Sequence, residues 1–436
     1  MRLISADWVL PVEGAPIAHG AVAIEDGRVA AIGPAEALGE GEHFPEAAIM
    51  PGFVNAHTHL EYAAYAGFGD GLSFGPWITM HMERKQLLDR RSMEAIARLG
   101  AAECLRSGIT TVGDLAFAGA SAHACAELGL RAIVYLEIFG RAATEALARF
   151  EEKGEYIAPA LSERVRLGVS PHAPYTCSTE VYAAALGLGV PVATHLNESA
   201  DELDWLLRGE GPWGALAELL IEPAGQSGIR SLAEAGLLDD RIVAAHCVKV
   251  DDEEIDLLAR SGVAVAHCPR SNSLLGCGIA PLADLRAAGL RVGVGTDGVS
   301  SVPSHDYFEE LRTVIALARA RAESAAALSA TEALELATLG GARALGLERE
   351  IGSLVVGKRA DVAIVSLSGS PYLPWEDPAA AVVYGGSPDR VMATLVDGET
   401  RYERGGFEWH ELIAGASAAR GRMLSSARPA SAATRR

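Results

Sequence analysis

Two histidines one residue apart, His57-Thr58-His59, directly follow the apolar run Ile49–Val54. In a strand, residues i and i+2 project to the same face, so both imidazoles are placed to grip one divalent cation. Standing alone, such a pair reads equally well as a surface or packing pair. Three further groups occur in the same context. His195-Leu196-Asn197-Glu198 closes the run Val190–Thr194, His246 follows Ile242-Val243-Ala244-Ala245, and Asp297 follows Gly293-Val294-Gly295-Thr296. Singly, His246 is as readily a core histidine as a ligand, and Asp297 a turn or helix-capping residue. Three imidazoles and a carboxylate suit zinc or iron(II), with a position left for water. A cation so held lowers the pKa of that water towards neutral. Glu198, three residues beyond His195, is placed to carry a proton rather than to bind metal. A hydrolytic reaction needs such a group, because the leaving atom is protonated as it departs.

The elements that must bring these groups together are legible as an alternation. From about residue 50 to 345, short β-branched runs alternate with helical stretches such as Met93–Ser107 and Glu253–Ser261. The runs end at Asn55, Leu115, Ile138, Ser170, Leu196, Cys247, Pro269 and Asp297, which makes eight strands. That pattern predicts an α/β fold, a (β/α)8 TIM-like barrel over residues 49–345. The metal-type groups then fall at the ends of strands one, five, six and eight, on the face where barrel active sites are built. Long connections at 56–108 and 197–240 join the same face. Residues 1–48 and 346–410 read as short strands and turns, too small to fold separately. They are expected to pair into one small discontinuous β-sandwich domain. Residues 415–436, rich in Ala, Ser and Arg, are expected to form a flexible tail, either a frayed helix or disordered.

Composition narrows the partners. With 37 basic against 57 acidic residues the net charge is −20, which disfavours nucleic-acid polymers and anionic membranes. The longest uncharged stretch, Val181–Asn197, contains Pro191 and His195 and is shorter than a membrane span needs. No signal-like segment opens the sequence. The six cysteines form no Cys-x-x-Cys pair, as expected of reduced thiols in a cytoplasmic protein.

The run Pro51-Gly52-Phe53-Val54-Asn55-Ala56-His57-Thr58-His59 resembles the strand-one signature of the amidohydrolase superfamily. His195-x-x-Glu198, His246 and Thr296-Asp297-Gly298 follow in that family's order. His267-Cys268-Pro269-Arg270-Ser271-Asn272 is similar to its strand-seven segment, and Gly352–Asp361 to the return into its small β domain. The resemblance implies one divalent metal, zinc before iron, held by His57, His59, His195 and Asp297. It implies that His246 assists beside the metal-bound water, with Asp297 also passing a proton to the departing group. Strand four, Val165–His172, carries no lysine for carboxylation, which indicates a mononuclear site.

Within the superfamily, Ser170–Ser178 resembles the branch that deaminates adenine-type nucleosides. The continuation Leu60-Glu61 and the segment Tyr135-Leu136-Glu137-Ile138-Phe139-Gly140 are more similar to aminodeoxyfutalosine deaminases, which act in menaquinone biosynthesis. Phe74–Ile78 departs from the longer loop of the methylthioadenosine and S-adenosylhomocysteine deaminases. Those substrates, adenosine, and a cyclic amide or heterocycle stand as the alternatives. On this reading His172 contacts purine or ribose, or is a hydrogen-bonded barrel histidine. Trp77 and Phe74 wall the base or pack the lid. Glu61 and Glu137 meet ribose hydroxyls or are structural, and Arg141 and Arg270 pair with a substrate carboxylate or with surface acids. The partner is a small purine nucleoside-like molecule, and a homodimer is the assembly left open.

Overall fold

The computed structural model describes residues 1–369 and 376–425. Its larger sheet is parallel and contains β5 (Phe53–His59), β6 (Ile109–Ala116), β7 (Arg131–Ile138), β8 (Val165–Pro171), β9 (Val192–Leu196), β10 (Ile242–His246), β11 (Ala264–His267), β12 (Val292–Val294) and β13 (Asp297–Gly298). Each strand from β5 to β12 pairs with the next in sequence, and β13 returns to β5 in the register Asp297↔Thr58 and Gly298↔His59. Only Gly295 and Thr296 separate β12 from β13. The sheet therefore curls, TIM-like, until its first and last strands meet. β6 and β7 are buried along their whole length, as strands covered on both faces must be.

Side chains hold the seam where the sheet ends meet. Asn55 Nδ2 donates to Thr296 Oγ1 (2.8 Å), the Thr296 amide donates to Asn55 Oδ1 (3.0 Å), and Thr58 Oγ1 donates to the Asp297 carbonyl (3.1 Å). Gly295 is required there. A Cβ at this position would stand 2.9 Å from His57 Cβ and 3.0 Å from Cys268 Sγ, closer than packed carbon tolerates.

The two chain ends build a second sheet from β1 (Arg2–Val9), β2 (Ile17–Glu25), β3 (Arg28–Pro34), β4 (Glu42–Pro51), β14 (Val362–Ser366), β15 (Val391–Val396) and β16 (Glu399–Glu403), in the order β16-β15-β14-β4-β1-β2-β3. β4 pairs with β1 on one side and β14 on the other, so the strands form one continuous hydrogen-bonded sheet separate from the barrel's. The alternation of side chains gives it two buried faces. Ala47 and Ile49 of β4, with Val362 and Ile364 of β14, fill the sheet's own apolar cluster. Ala48, Met50, Ala363 and Val365 face the main core. The barrel thus covers one face, and the sheet's own strands cover the other.

Over 415–425 the tail is helical, as one of the two expected forms, and it is packed rather than frayed. A helix spans Trp409–Ser425 and buries Leu412, Ala416, Ala419 and Met423 along one stripe. Arg420 donates to the carbonyls of Ala64 (2.6 Å) and Ala66 (2.9 Å), and Arg84 to that of Met423 (3.1 Å). Composition hid this helix because half of its buried stripe is alanine. Residues 426–436 lie outside the described residues. No helix among the described residues is long and apolar enough to cross a membrane.

Barrel and sheet are joined by a buried ion cluster. Arg131 at the start of β7 pairs with Asp361 (2.9 Å) and Asp397 (2.6 Å). Replacing Arg131 by Leu leaves buried Asp361 uncompensated, while Asp397 keeps Arg164 and Arg359; breaking a buried pair in this way costs about 3–5 kcal/mol. The expected result is a lower thermal unfolding midpoint with metal stoichiometry unchanged, and an unaltered midpoint would show that the cluster does not hold the sheet.

Candidate active site

The strand ends bring the sequence-nominated donors to one point. His57 and His59 leave β5 on the same face, His195 leaves β9, and Asp297 opens β13. His59 Nε2 lies 3.4 Å from Asp297 Oδ1 and 3.4 Å from His195 Nε2, and His57 Nε2 is 3.4 Å from the same carboxylate oxygen. The outer ring nitrogens explain what these contacts are. His59 Nδ1 is 2.9 Å from the Leu115 carbonyl and His195 Nδ1 is 2.7 Å from that of His172. A carbonyl only accepts, so both Nδ1 atoms carry the proton and both Nε2 atoms present bare lone pairs. Burial pushes the His59 imidazole down to about 3 and that of His195 well below its usual value, so neither is protonated near neutrality. His57 Nε2 is buried with no hydrogen-bond partner among the described residues.

Acceptors therefore face acceptors with no proton between them, an arrangement that a cation relieves. Donors about 2.1 Å from a common tetrahedral centre stand about 3.4 Å apart, so the donor spacing fits one ion of zinc size. Asp297 completes the charge. Burial raises its pKa, but the His57 contact and the neighbouring imidazoles outweigh this and hold it well below the ordinary range. Its Oδ2 accepts from the hydroxyls of Ser271 and Ser301 (both 2.6 Å) and its Oδ1 from the Gly298 amide (2.7 Å). β8 carries no lysine to bridge a second ion. Cys268 Sγ clusters with His57 and His246, yet burial keeps its pKa well above the usual value, and it stands as a neutral thiol.

Glu198 and His246 form the acid–base side. His246 Nε2 is 3.6 Å from Glu198 Oε1, while its Nδ1 lies 2.8 Å from Asn272 Oδ1. Burial raises the Glu198 carboxyl well above the ordinary range, with Asp297 and Glu202 adding like-charge repulsion. Glu202 anchors this turn by accepting the amides of Asn197 (3.1 Å) and Glu198 (2.7 Å). Burial also lowers His246 to about 4, so its imidazole is neutral. Asn197, His246 and Asp297 all have positive φ (47°, 73° and 63°). Such backbone is uncommon outside glycine and gathers at functional sites.

A cavity of about 710 Å³ opens over these groups. His172, Trp77, Phe74, Glu137 and Arg141 line it, along with His59, His195, Glu198, His246 and Asp297. His172 Nδ1 bonds Thr176 Oγ1 at 2.8 Å, and Trp77 Nε1 donates to the Ser300 carbonyl at 3.0 Å. Arg141 sits at the rim, 57% exposed, and donates to the Leu220 carbonyl. Two expected contacts lie elsewhere. Glu61 is fully buried outside the lining, and its carboxylate accepts the amides of Ala118 (2.8 Å) and Ala120 (2.6 Å). It caps the helix Ala120–Leu128, whose preceding residue, Gly119, has no side chain to do so. Arg270 is consumed by the carbonyls of Ser304 and Asp306 and by Glu309 and Glu310.

Sequence reasoning missed Ser271, Ser301, Asn272 and Glu202, which brace the metal-type and acid–base groups, and Lys85, which lines the cavity. Ser271 and Asn272 lie within the recognised segment His267–Asn272 and were findable on that ground. Lys85 ends an ordinary amphipathic helix and gave no signal.

A model described as the amidohydrolase family matches residues 48–401, and the chain belongs to that family. It is 35% identical to a 5-methylthioadenosine/S-adenosylhomocysteine deaminase from Moorella thermoacetica, over 92% of this chain and 94% of that protein. It is 32% identical to a 5'-deoxyadenosine deaminase from Methanothermobacter thermautotrophicus, over 93% and 94% of the two chains. Among solved structures, an adenosine deaminase from Xanthomonas campestris with bound zinc superposes with a TM-score of 0.87 at 31% identity, covering 97% of this chain and 98% of that one.

Asn272 fixes which nitrogen of His246 faces Glu198. Asn272→Ala is expected to lower kcat by about 10–100-fold, the usual effect of removing a residue that orients a site imidazole. Metal content, read by elemental analysis, is expected to stay at the wild-type level. Unchanged kcat would remove Asn272 from the site.

Proposed function

We propose that this chain is a metal-dependent hydrolytic deaminase that replaces the 6-amino group of an adenine nucleoside by oxygen. The observation that carries the reading is the convergence of His57, His59, His195 and Asp297 with a buried Glu198 and His246 in one cavity. The relatives' names supply the substrate class. Each is an adenosine, and two of the three are named for adenosines altered at the 5' position. Aminodeoxyfutalosine, favoured by the motifs around Glu61 and Glu137, is one such nucleoside, and a place in menaquinone biosynthesis goes with it alone.

Zinc is the ion proposed. When bound, it supplies a water acidified towards neutral pH as the nucleophile. The chain's own groups do the rest. Glu198 holds a proton on its carboxyl and delivers it to purine N1, which makes C6 more electrophilic. His246 keeps Nε2 free as an acceptor because Nδ1 is committed to Asn272. Asp297, expected from the sequence to pass a proton as well as to bind metal, has its oxygens engaged by the Ser271 and Ser301 hydroxyls and the Gly298 amide. That favours its ligand role. Having given its proton to N1, Glu198 takes up the proton of the attacking oxygen and passes it to the 6-amino nitrogen, which leaves as ammonia as the C–N bond breaks. Trp77 and Phe74, with ring centroids 5.9 Å apart, flank the base and exclude water.

The test is ammonia release from adenosine, 5-methylthioadenosine, S-adenosylhomocysteine, 5'-deoxyadenosine, aminodeoxyfutalosine, guanine and cytosine. Turnover is expected for adenosine-type compounds only. Glu198→Gln is expected to lose at least about 100-fold in kcat with metal still bound. A fully active variant, or turnover confined to cyclic amides without ammonia, would overturn the reading.

A further inference from the structure

The connection between β5 and the helix Phe74–Lys85 builds one wall of the cavity, and little of its own holds it in place. Over residues 63–72 the backbone makes only local turns, such as Phe68 to the Tyr65 carbonyl and Leu72 to that of Gly69 (both 3.0 Å). A stretch bonded in this way opens readily unless side chains fasten it. Among the described residues, the only hydrogen bonds that reach its backbone from a distant part of the chain come from Arg420. The two ends of that guanidinium fork take the Ala64 carbonyl (2.6 Å) and the Ala66 carbonyl (2.9 Å).

The fastening is reciprocal. Arg84, near the end of the helix Phe74–Lys85, donates to the Met423 carbonyl (3.1 Å) in the last turn of the helix Trp409–Ser425. Carbonyls there have no donor within their own helix. Both guanidinium groups also lie over the Phe68 ring, Arg84 at 3.9 Å and Arg420 at 4.3 Å from its centroid, an attraction that adds to the hydrogen bonds. Ala416, Ala419 and Met423 share one buried apolar cluster with Ala64, Tyr65 and Phe68.

From the fastened loop, contacts run on to the cavity. Gly69 has a positive φ of 76°, and a Cβ there would stand 2.8 Å from Trp77 Cδ1, so the loop backbone lies directly against the indole. His81 packs on Tyr62, Tyr65 and Trp77 with centroids 4.4, 4.9 and 5.6 Å away. Tyr62, Trp77 and His81 all line the cavity. The reacting groups are held independently of this loop. His195, Glu198, His246 and Asp297 stand at β9, β10 and β13, and His59 keeps its own bond to the Leu115 carbonyl.

We infer that Arg420 is a positioning residue of the active site: carried on the helix Trp409–Ser425, it fastens loop 63–72 so that Tyr62, Trp77 and His81 stand as a closed wall for the substrate. Arg420 touches no reacting atom. With the loop released, the wall is formed for only part of the time. Apparent affinity then falls in proportion to the fraction formed, while turnover of bound substrate is retained.

The experiment measures KM and kcat for ammonia release from adenosine, together with amide hydrogen exchange over residues 63–72 read by mass spectrometry. The kinetic part rests on the deaminase reading above, and the exchange part does not. Arg420→Met is expected to raise KM by at least about 10-fold with kcat within about 2-fold of wild type. Exchange over 63–72 is expected to quicken at least about 10-fold, with barrel strands and metal content unchanged. Arg420→Lys keeps a cation over Phe68 but gives up the fork, and a KM rise of about 3-fold with faster loop exchange is expected; it carries the test if Arg420→Met does not fold. A lowered thermal midpoint with wild-type KM would make the helix a structural support alone and overturn the inference. A fall in kcat at unchanged KM, or wild-type exchange over 63–72 in both variants, would overturn it too. If wild type releases no ammonia from any adenosine, the deaminase reading fails by itself, and the exchange rates decide whether Arg420 holds the loop.

Discussion

Lone pairs that face lone pairs set the terms for the rest of the molecule. Two imidazoles are stripped of a competing proton on their inner nitrogens by carbonyls that claim the outer ones, and His57 and Asp297 close on the same point. In a low-dielectric interior such a cluster destabilises the fold unless a cation occupies it. The closure of the sheet and the assembly of the site are therefore one event. Asn55 and Thr296 zip β5 to β13 directly beneath His57 and Asp297, and Gly295 lets the two strands approach closely enough.

Two buried carboxyls within this site are driven in opposite directions. Asp297, ringed by imidazoles and bonded to Ser271, Ser301 and the Gly298 amide, stays ionised. Glu198, with Asp297 and Glu202 as neighbouring carboxylates, is pushed towards the neutral form by burial. Environments that separate the pKa values of two acids divide their labour, one as a charged ligand and one as a proton donor. The same rule sorts the cavity's other acids. Glu61 is spent on the amides of a helix N-terminus, and Glu137 is left open to the cavity.

How much of this was legible in the sequence follows from what each signal encodes. His57, His59, His195, His246 and Asp297 could be placed because each closes an apolar run, and strand ends of a curled parallel sheet share one face. Glu61 sits as close to a strand end as Glu137, and residue type alone cannot separate a capping carboxylate from a ligand-facing one. The difference lies in Gly119, across the fold, which leaves a helix end for Glu61 to satisfy. Lys85, Ser271 and Ser301 act through tertiary proximity that no local period records. Which face of β4 and β14 packs on the barrel is likewise a tertiary matter, and the helix Trp409–Ser425 buries a stripe that is half alanine, which composition reads as weak.

The central claim is that three imidazoles and one carboxylate hold a single ion, while the neighbouring Cys268 thiol stays outside its coordination. X-ray absorption at the metal edge, combined with elemental analysis of the purified enzyme, tests this most directly. The account predicts one ion per chain with a nitrogen and oxygen shell in which several scatterers are imidazoles. Sulfur in the first shell, two ions per chain, or a tightly folded enzyme that binds none would contradict it.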